Sequence, residues 1–141
     1  MIIAKCCSRR RGLGEFISGV ILFDETLRQK ADDGTPLVEV LTRQGIIPGI
    51  KVDKGAKALA GFPGEKITEG LDGLRDRLVE YAKLGARFTK WRAVITIGAN
   101  IPTLTCLETN AHALARFAAQ SGGRVGSDCR ARGADGWWSY N

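Results

Sequence analysis

The chain has 141 residues, with 21 Lys and Arg against 15 Asp and Glu, enough for one domain or part of one. No apolar run is long enough to cross a bilayer, and no basic-then-apolar leader with a cleavage site opens the sequence. A soluble cytoplasmic protein without a membrane partner is therefore expected. The net charge of +6 would suit nucleic acid, but residues 1–11 hold +4 of it through Lys5, Arg9, Arg10 and Arg11. Residues 12–120 and 121–141 carry only +1 each, so the middle is balanced like an ordinary metabolic domain and no nucleic-acid partner is expected.

In chain order, residues 16–23 form a near-continuous apolar run, as in a strand buried on both faces, and Asp24 and Glu25 end it. Residues 32–36 carry turn chemistry. A short helix over 37–44 follows, with Leu37, Val40 and Leu41 on one face and Gly45 closing it. Residues 46–52 read as a second strand. The Gly-rich stretch 55–70 reads as a long loop, and long loops in small domains are usually functional or disordered. A second helix is expected over 71–84, carried by Leu71, Leu74, Leu78 and Tyr81 and closed by Gly85. Residues 88–97 read as the third strand. After Pro102, the residues Leu104, Leu107, Ala111, Leu114, Ala115 and Ala118 give the last helix its apolar stripe.

His112 falls in that last helix with no carboxylate or Cys at ligand spacing, so it reads as a surface or packed residue. Cys6, Cys7, Cys106 and Cys129 form no C-x-x-C pair and lack the spacing of a zinc site. They are expected to be reduced thiols, and no metal is expected.

Strand alternating with helix implies an α/β architecture of parallel strands joined by right-handed crossovers. No G-x-G-x-x-G and no Walker loop stands at a strand-to-helix turn, which argues against nucleotide-binding folds. A segment of a (β/α)8 TIM barrel fits better: about three βα units on an open parallel sheet, with charges at the ends of two consecutive strands. By the alternation of a strand, Lys51 and Asp53 share one face while Val52 points away. Lys90 and Arg92 likewise project together, with Trp91 opposite. Either charged run alone reads as solvated strand ends. Both together suit an anionic substrate.

The runs at 16–36, 46–66, 68–78 and 85–98, with a weaker continuation at 110–118, carry a family resemblance. Residues 14–119 resemble the second to fourth βα units of class I fructose-1,6-bisphosphate aldolase, particularly its bacterial members. The resemblance covers most of the chain and a minor part of a whole aldolase. It implies a (β/α)8 barrel and a lyase of glycolysis and gluconeogenesis. Such an enzyme reversibly cleaves fructose 1,6-bisphosphate to dihydroxyacetone phosphate and glyceraldehyde 3-phosphate. It works through a lysine Schiff base, without metal or other cofactor, and as a homotetramer in the intact family.

Position by position, the resemblance places Lys51 and Arg92 near a substrate phosphate. Lys90 falls beside the reacting carbons, and Asp53 is the acidic partner on the preceding strand. Phosphate dianions need shielded cations, and an arginine fork binds two oxygens at once. A second cation beside a Schiff-base lysine would also lower that lysine's pKa. The family's A-A-D-E-S, E-P-E and G-T-L-L-K-P-N runs do not occur in the chain, and the last of these carries the Schiff-base lysine. This chain is accordingly expected to be inactive alone. The alternative is a phosphate-binding or subunit-interaction module without catalysis. With two sheet edges open, Lys51, Asp53, Lys90 and Arg92 are expected in water, with Ile50 and Phe88 among the exposed neighbours.

The ends break the pattern, which gives three expected parts: a head at 1–11, a partial barrel at 12–120 and a tail at 121–141. Codons exist for residues 125–141 that, shifted by one base, read V-P-I-V-E-P-E-V-L-M-D-G-G-H-T, similar to the family's fifth strand. Trp137 and Trp138 have a single codon each, which constrains that fit. A shift at residues 2–10 gives Y-R-E-M-L-F-T-T, similar to the family segment before G-L-G-E-F. Both flanks are therefore expected to be out-of-frame or disordered.

Overall fold

Residues 12–122 are described by the structure, a computed structural model. Three strands, β1 (Gly19–Leu22), β2 (Ile47–Lys51) and β5 (Phe88–Lys90), pair in parallel in the order β1-β2-β5. The register sets Gly19 opposite Ile47 and Leu22 opposite Ile50, then Gly49 opposite Phe88 and Lys51 opposite Lys90. The intervening helices are α1 (Asp24–Leu27), α2 (Leu37–Arg43) and α3 (Leu74–Lys83), and α4 (Leu104–Gly122) follows β5. The expected head, and the tail beyond residue 122, lie outside the described residues. Residues 121 and 122 continue α4.

Alternation along β2 decides which face is core. Ile50 and Val52 are fully buried and pack with Leu41, Ile46, Leu74 and Leu78, while Gly49 and Lys51 take the other face. α3 buries Leu74, Leu78 and Tyr81, the spacing of one helical face. Gly45 and Gly85 close α2 and α3 with positive φ (75° and 100°), and the Ile46 and Ala86 amides bond back to Leu41 and Tyr81. That left-handed closure is the one both glycines predict. Arg28 pairs with Asp24 at 2.9 Å and Glu80 at 2.7 Å, tying α1 to α3 at the surface.

Five expectations are corrected. Residues 55–70 are no loop: β3 (Gly55–Ala58) and β4 (Lys66–Glu69) form an antiparallel hairpin. Small and charged residues there hide the strand alternation. The third strand ends at Lys90, since residues 91–97 find no further strand to pair with among the described residues. The first strand is not buried on both faces: among the described residues β1 has only β2 beside it, and Phe16 and Phe23 are 83% and 63% exposed. Ile50 is buried rather than exposed, because it faces the helices. The stripe on α4 faces outward, with Leu104 69% exposed, while Cys106, Asn110 and Ala113 turn inward. Polar Asn110 sits inside because its side-chain amide donates to the carbonyls of Lys66 and Cys106, both at 2.9 Å.

Candidate functional site

The ends of β2 and β5 place two amines side by side, since Lys51 and Lys90 are register partners. Asp53, two residues past Lys51, falls between them. Lys51 Nζ lies 2.8 Å from Asp53 Oδ1 and also donates to the Asp53 carbonyl at 2.9 Å. Lys90 Nζ stands 3.7 Å from Asp53 Oδ2, an ion pair just beyond hydrogen-bond length. The Gly55 amide donates to Asp53 Oδ1 at 3.2 Å, which fixes the carboxylate from the chain side. The Asp53 side chain is 2% exposed, against 22% and 23% for the two lysines. The expectation that Asp53 stands in water is therefore corrected: its carboxylate is buried beneath two cations that reach solvent. The Phe23 ring, at the end of β1, lies 5.6 Å from Lys51 Nζ, within cation–π range.

The floor of this face is set by Phe88. A Cβ on Gly49 would come within 2.3 Å of its ring, and one on Gly19 within 3.1 Å. β2, and β1 beyond it, therefore keep glycine where the ring lies across the sheet. Phe88 is half-buried rather than exposed as expected, because its ring packs over the glycines of β1 and β2.

Of the four residues the sequence singles out, Lys51, Asp53 and Lys90 come together. Arg92 is exposed and lies outside the ion-paired trio, and its backbone carbonyl accepts from the Thr68 hydroxyl at 2.7 Å. Trp91 points the other way and stacks on Phe117, with ring centroids 5.3 Å apart. Two like charges sharing one carboxylate leave the cluster with excess positive charge facing solvent. Chemically, it can receive an anion. Among the described residues no group of His, Cys, Asp and Glu could hold a metal ion, His112 is exposed, and Cys106 is a buried free thiol. Cys6, Cys7 and Cys129 lie outside the described residues.

Two residues escaped the sequence reading. Arg77 carries no sequence signal of its own, yet its guanidinium donates to the carbonyls of Val52, at 3.0 Å, and Gly70. Glu65 sits in the Gly-rich stretch with nothing to mark it, yet it is buried. Its carboxylate accepts from the Thr103 amide at 2.6 Å and the Thr103 hydroxyl at 2.7 Å, and that hydroxyl caps α4 by accepting from the Cys106 amide at 3.2 Å. Burial pushes the Glu65 carboxyl up, but its bonds from Thr103 outweigh that and hold it below the usual carboxylate range.

A depressed folded value means Glu65 stabilises the fold above its unfolded value of about 4.3, and that contribution is lost as pH falls through the folded value. Glu65→Gln is therefore expected to destabilise the fold at neutral pH and to flatten the acid side of the stability profile. Urea unfolding at neutral pH and at a pH below the unfolded value checks both. An unchanged acid limb in the variant contradicts this role.

A family description reading "Fructose-bisphosphate aldolase class-I" matches residues 6–125. A "Probable fructose-bisphosphate aldolase class 1" of Xanthomonas axonopodis is 69% identical over 107 residues, 76% of this chain and 32% of that protein. The cytosolic fructose-bisphosphate aldolase 6 of Arabidopsis thaliana is 53% identical over 121 residues, 79% of this chain and 34% of that one. The fructose-bisphosphate aldolase of Plasmodium falciparum, solved with TRAP and a small-molecule inhibitor, superposes with a TM-score of 0.80 at 47% identity. That superposition covers 84% of this chain and 35% of the parasite enzyme. The chain thus spans about a third of the length of the relatives it matches. The open parallel sheet with its helices is a partial (β/α)8 barrel.

Proposed function

The chain belongs to the class-I fructose-bisphosphate aldolase family, and on that premise we propose that it carries the phosphate-facing, cationic part of the aldolase pocket without the amine that forms the imine. The whole family's reaction is the reversible cleavage of fructose 1,6-bisphosphate through a lysine Schiff base, a cytoplasmic step of glycolysis and gluconeogenesis. In this reading Lys51 and Arg92 bind the phosphate of a phosphorylated sugar. Lys90 stands beside the reacting carbons, and Asp53 holds the two lysines apart and oriented. The observation that carries the proposal is the buried Asp53 carboxylate between Lys51 and Lys90, at 2.8 and 3.7 Å.

Electrostatics favours this use of the cluster. An anion approaching from solvent meets the two lysine ammonium groups, while the only carboxylate of the trio is screened beneath them. The charge is held on strand ends whose partners are locked in register, so little ordering is left for binding. In the same proposal the residues outside the family match of 6–125 are out-of-frame translation and add nothing to the site, and the homotetramer belongs to the intact family.

Dihydroxyacetone phosphate is expected to bind this chain reversibly, and Lys51→Ala to weaken that binding about tenfold, the loss of one charge-assisted contact. Titration calorimetry of both proteins reads it directly. Equal affinity in the two removes Lys51 from the phosphate site. Exposure of Leu104, Leu107 and Leu114 on α4 favours a second reading, a subunit-interaction module, which the same variant would leave untouched.

A further inference from the structure

We infer that Arg77 is a positioning residue for the Lys51–Asp53–Lys90 cluster, acting through the backbone at the end of β2. The inference rests on the phosphate-site reading only for its binding arm. Arg77 stands on α3, on the turn between Leu74 and Leu78, both fully buried, so its Cα is fixed by the core. Its Nη1 donates to the Val52 carbonyl at 3.0 Å and its Nη2 to the Gly70 carbonyl. The Nε is buried and bonds to nothing, and among the described residues no carboxylate pairs with the guanidinium. The charge is spent on two carbonyls.

Those carbonyls belong to the two backbone segments that meet behind Asp53. Val52 is the residue just before Asp53; its amide donates to the Lys90 carbonyl at 3.1 Å and its side chain is in the core. With its amide tied to β5 and its carbonyl to Arg77, Val52 is held on both sides, and the carbonyl bond is the one that fixes the peptide leading into Asp53. Gly70 is the exit of the β3–β4 hairpin, with φ at 132°. A Cβ there would come within 2.9 Å of the Lys54 amide nitrogen and 3.2 Å of Asp53 Cα. The Lys54 amide also donates to the Glu69 carbonyl at 2.8 Å. Arg77 therefore clips the hairpin exit onto the turn that presents Asp53.

The chemistry of the clip favours arginine. A planar guanidinium can donate from two nitrogens to two acceptors in a set geometry, whereas an ammonium is a point charge with no such fork. A bond from a cation to a carbonyl is also stronger than a neutral one. Without the clip, the Val52–Asp53 peptide can rotate. The Asp53 carboxylate then loses its fit between Lys51, at 2.8 Å, and Lys90, at 3.7 Å.

The test uses the full chain with Asp and Lys isotopically labelled, as wild type, Arg77→Met, Arg77→Lys and the core control Leu27→Ala. At one fixed pH, NMR reads the Asp53 carboxyl carbon and the Lys51 ammonium nitrogen, and titration with inorganic phosphate gives affinity. Arg77→Met is expected to move both signals and to weaken phosphate binding about tenfold, with Arg77→Lys recovering only part. Leu27→Ala is expected to lose stability while leaving both signals and the affinity in place. Wild-type signals in Arg77→Met, or the same behaviour as Leu27→Ala, overturn the inference. If Arg77→Met does not fold, wild-type signals in Arg77→Lys overturn it instead. Should the wild type bind no phosphate, the proposed function fails, while the Asp53 and Lys51 signals still decide the role of Arg77.

Discussion

Asp53→Asn is expected to weaken the fold and strengthen anion binding in the same molecule. Asparagine keeps the shape and still accepts the Gly55 amide, but it removes the charge that faces Lys51 at 2.8 Å and Lys90 at 3.7 Å. Two ammonium groups on neighbouring strands then repel across a spacing of about 5 Å. Breaking a fully buried pair costs about 3–5 kcal/mol, but these lysines keep about a fifth of their surface in water and can turn outward. A loss of about 1–3 kcal/mol is the resulting expectation for the variant. The affinity for inorganic phosphate moves the other way, because the carboxylate that competed for both cations is gone. Urea unfolding and calorimetry on one preparation read both effects. Loss of stability with weaker phosphate binding would mean that Asp53 shapes the pocket sterically and that its charge is secondary.

Much of this site was legible because strand alternation is a strict rule. Lys51 and Asp53 on one face, with Val52 opposite, follows from a period of two. Gly45 and Gly85 were readable as helix ends because few other residues adopt a positive φ without strain. What failed had a physical cause in each case. The hairpin at 55–69 is built from small and charged residues, so it carries no apolar alternation to read. The α4 stripe is amphipathic by sequence, but which side is covered depends on neighbours, and here Asn110 and Cys106 find partners on β4 instead.

Arg77 and Glu65 were invisible for a shared reason. A charged side chain at a given position says nothing about backbone carbonyls or amides brought to it from 7, 25 or 38 residues away. Arg92 shows the converse. Its alternation with Lys90 holds only while the strand continues, and β5 stops at Lys90. Beyond that point period two no longer decides the direction of a side chain, and Arg92 stands apart from the trio.

No covalent adduct with dihydroxyacetone phosphate is expected on this chain. An imine forms when a neutral amine attacks the ketone, and the nucleophile must carry a free lone pair. Lys51 instead donates to the Asp53 carboxylate and to the Asp53 carbonyl, and Lys90 is held against the same carboxylate. Lys51 is thus engaged as a donor and Lys90 is ion-paired with the same carboxylate, an arrangement suited to holding phosphate rather than attacking carbon. The G-T-L-L-K-P-N run that brings the reacting lysine to the family does not occur in these 141 residues.

Borohydride reduction in the presence of dihydroxyacetone phosphate, read by intact mass and peptide mapping, separates a pocket that only binds from one that reacts. The predicted result is an unmodified mass, with cleavage of fructose 1,6-bisphosphate at background. A reduced adduct on Lys51 or Lys90, or turnover by the purified chain, would contradict the account.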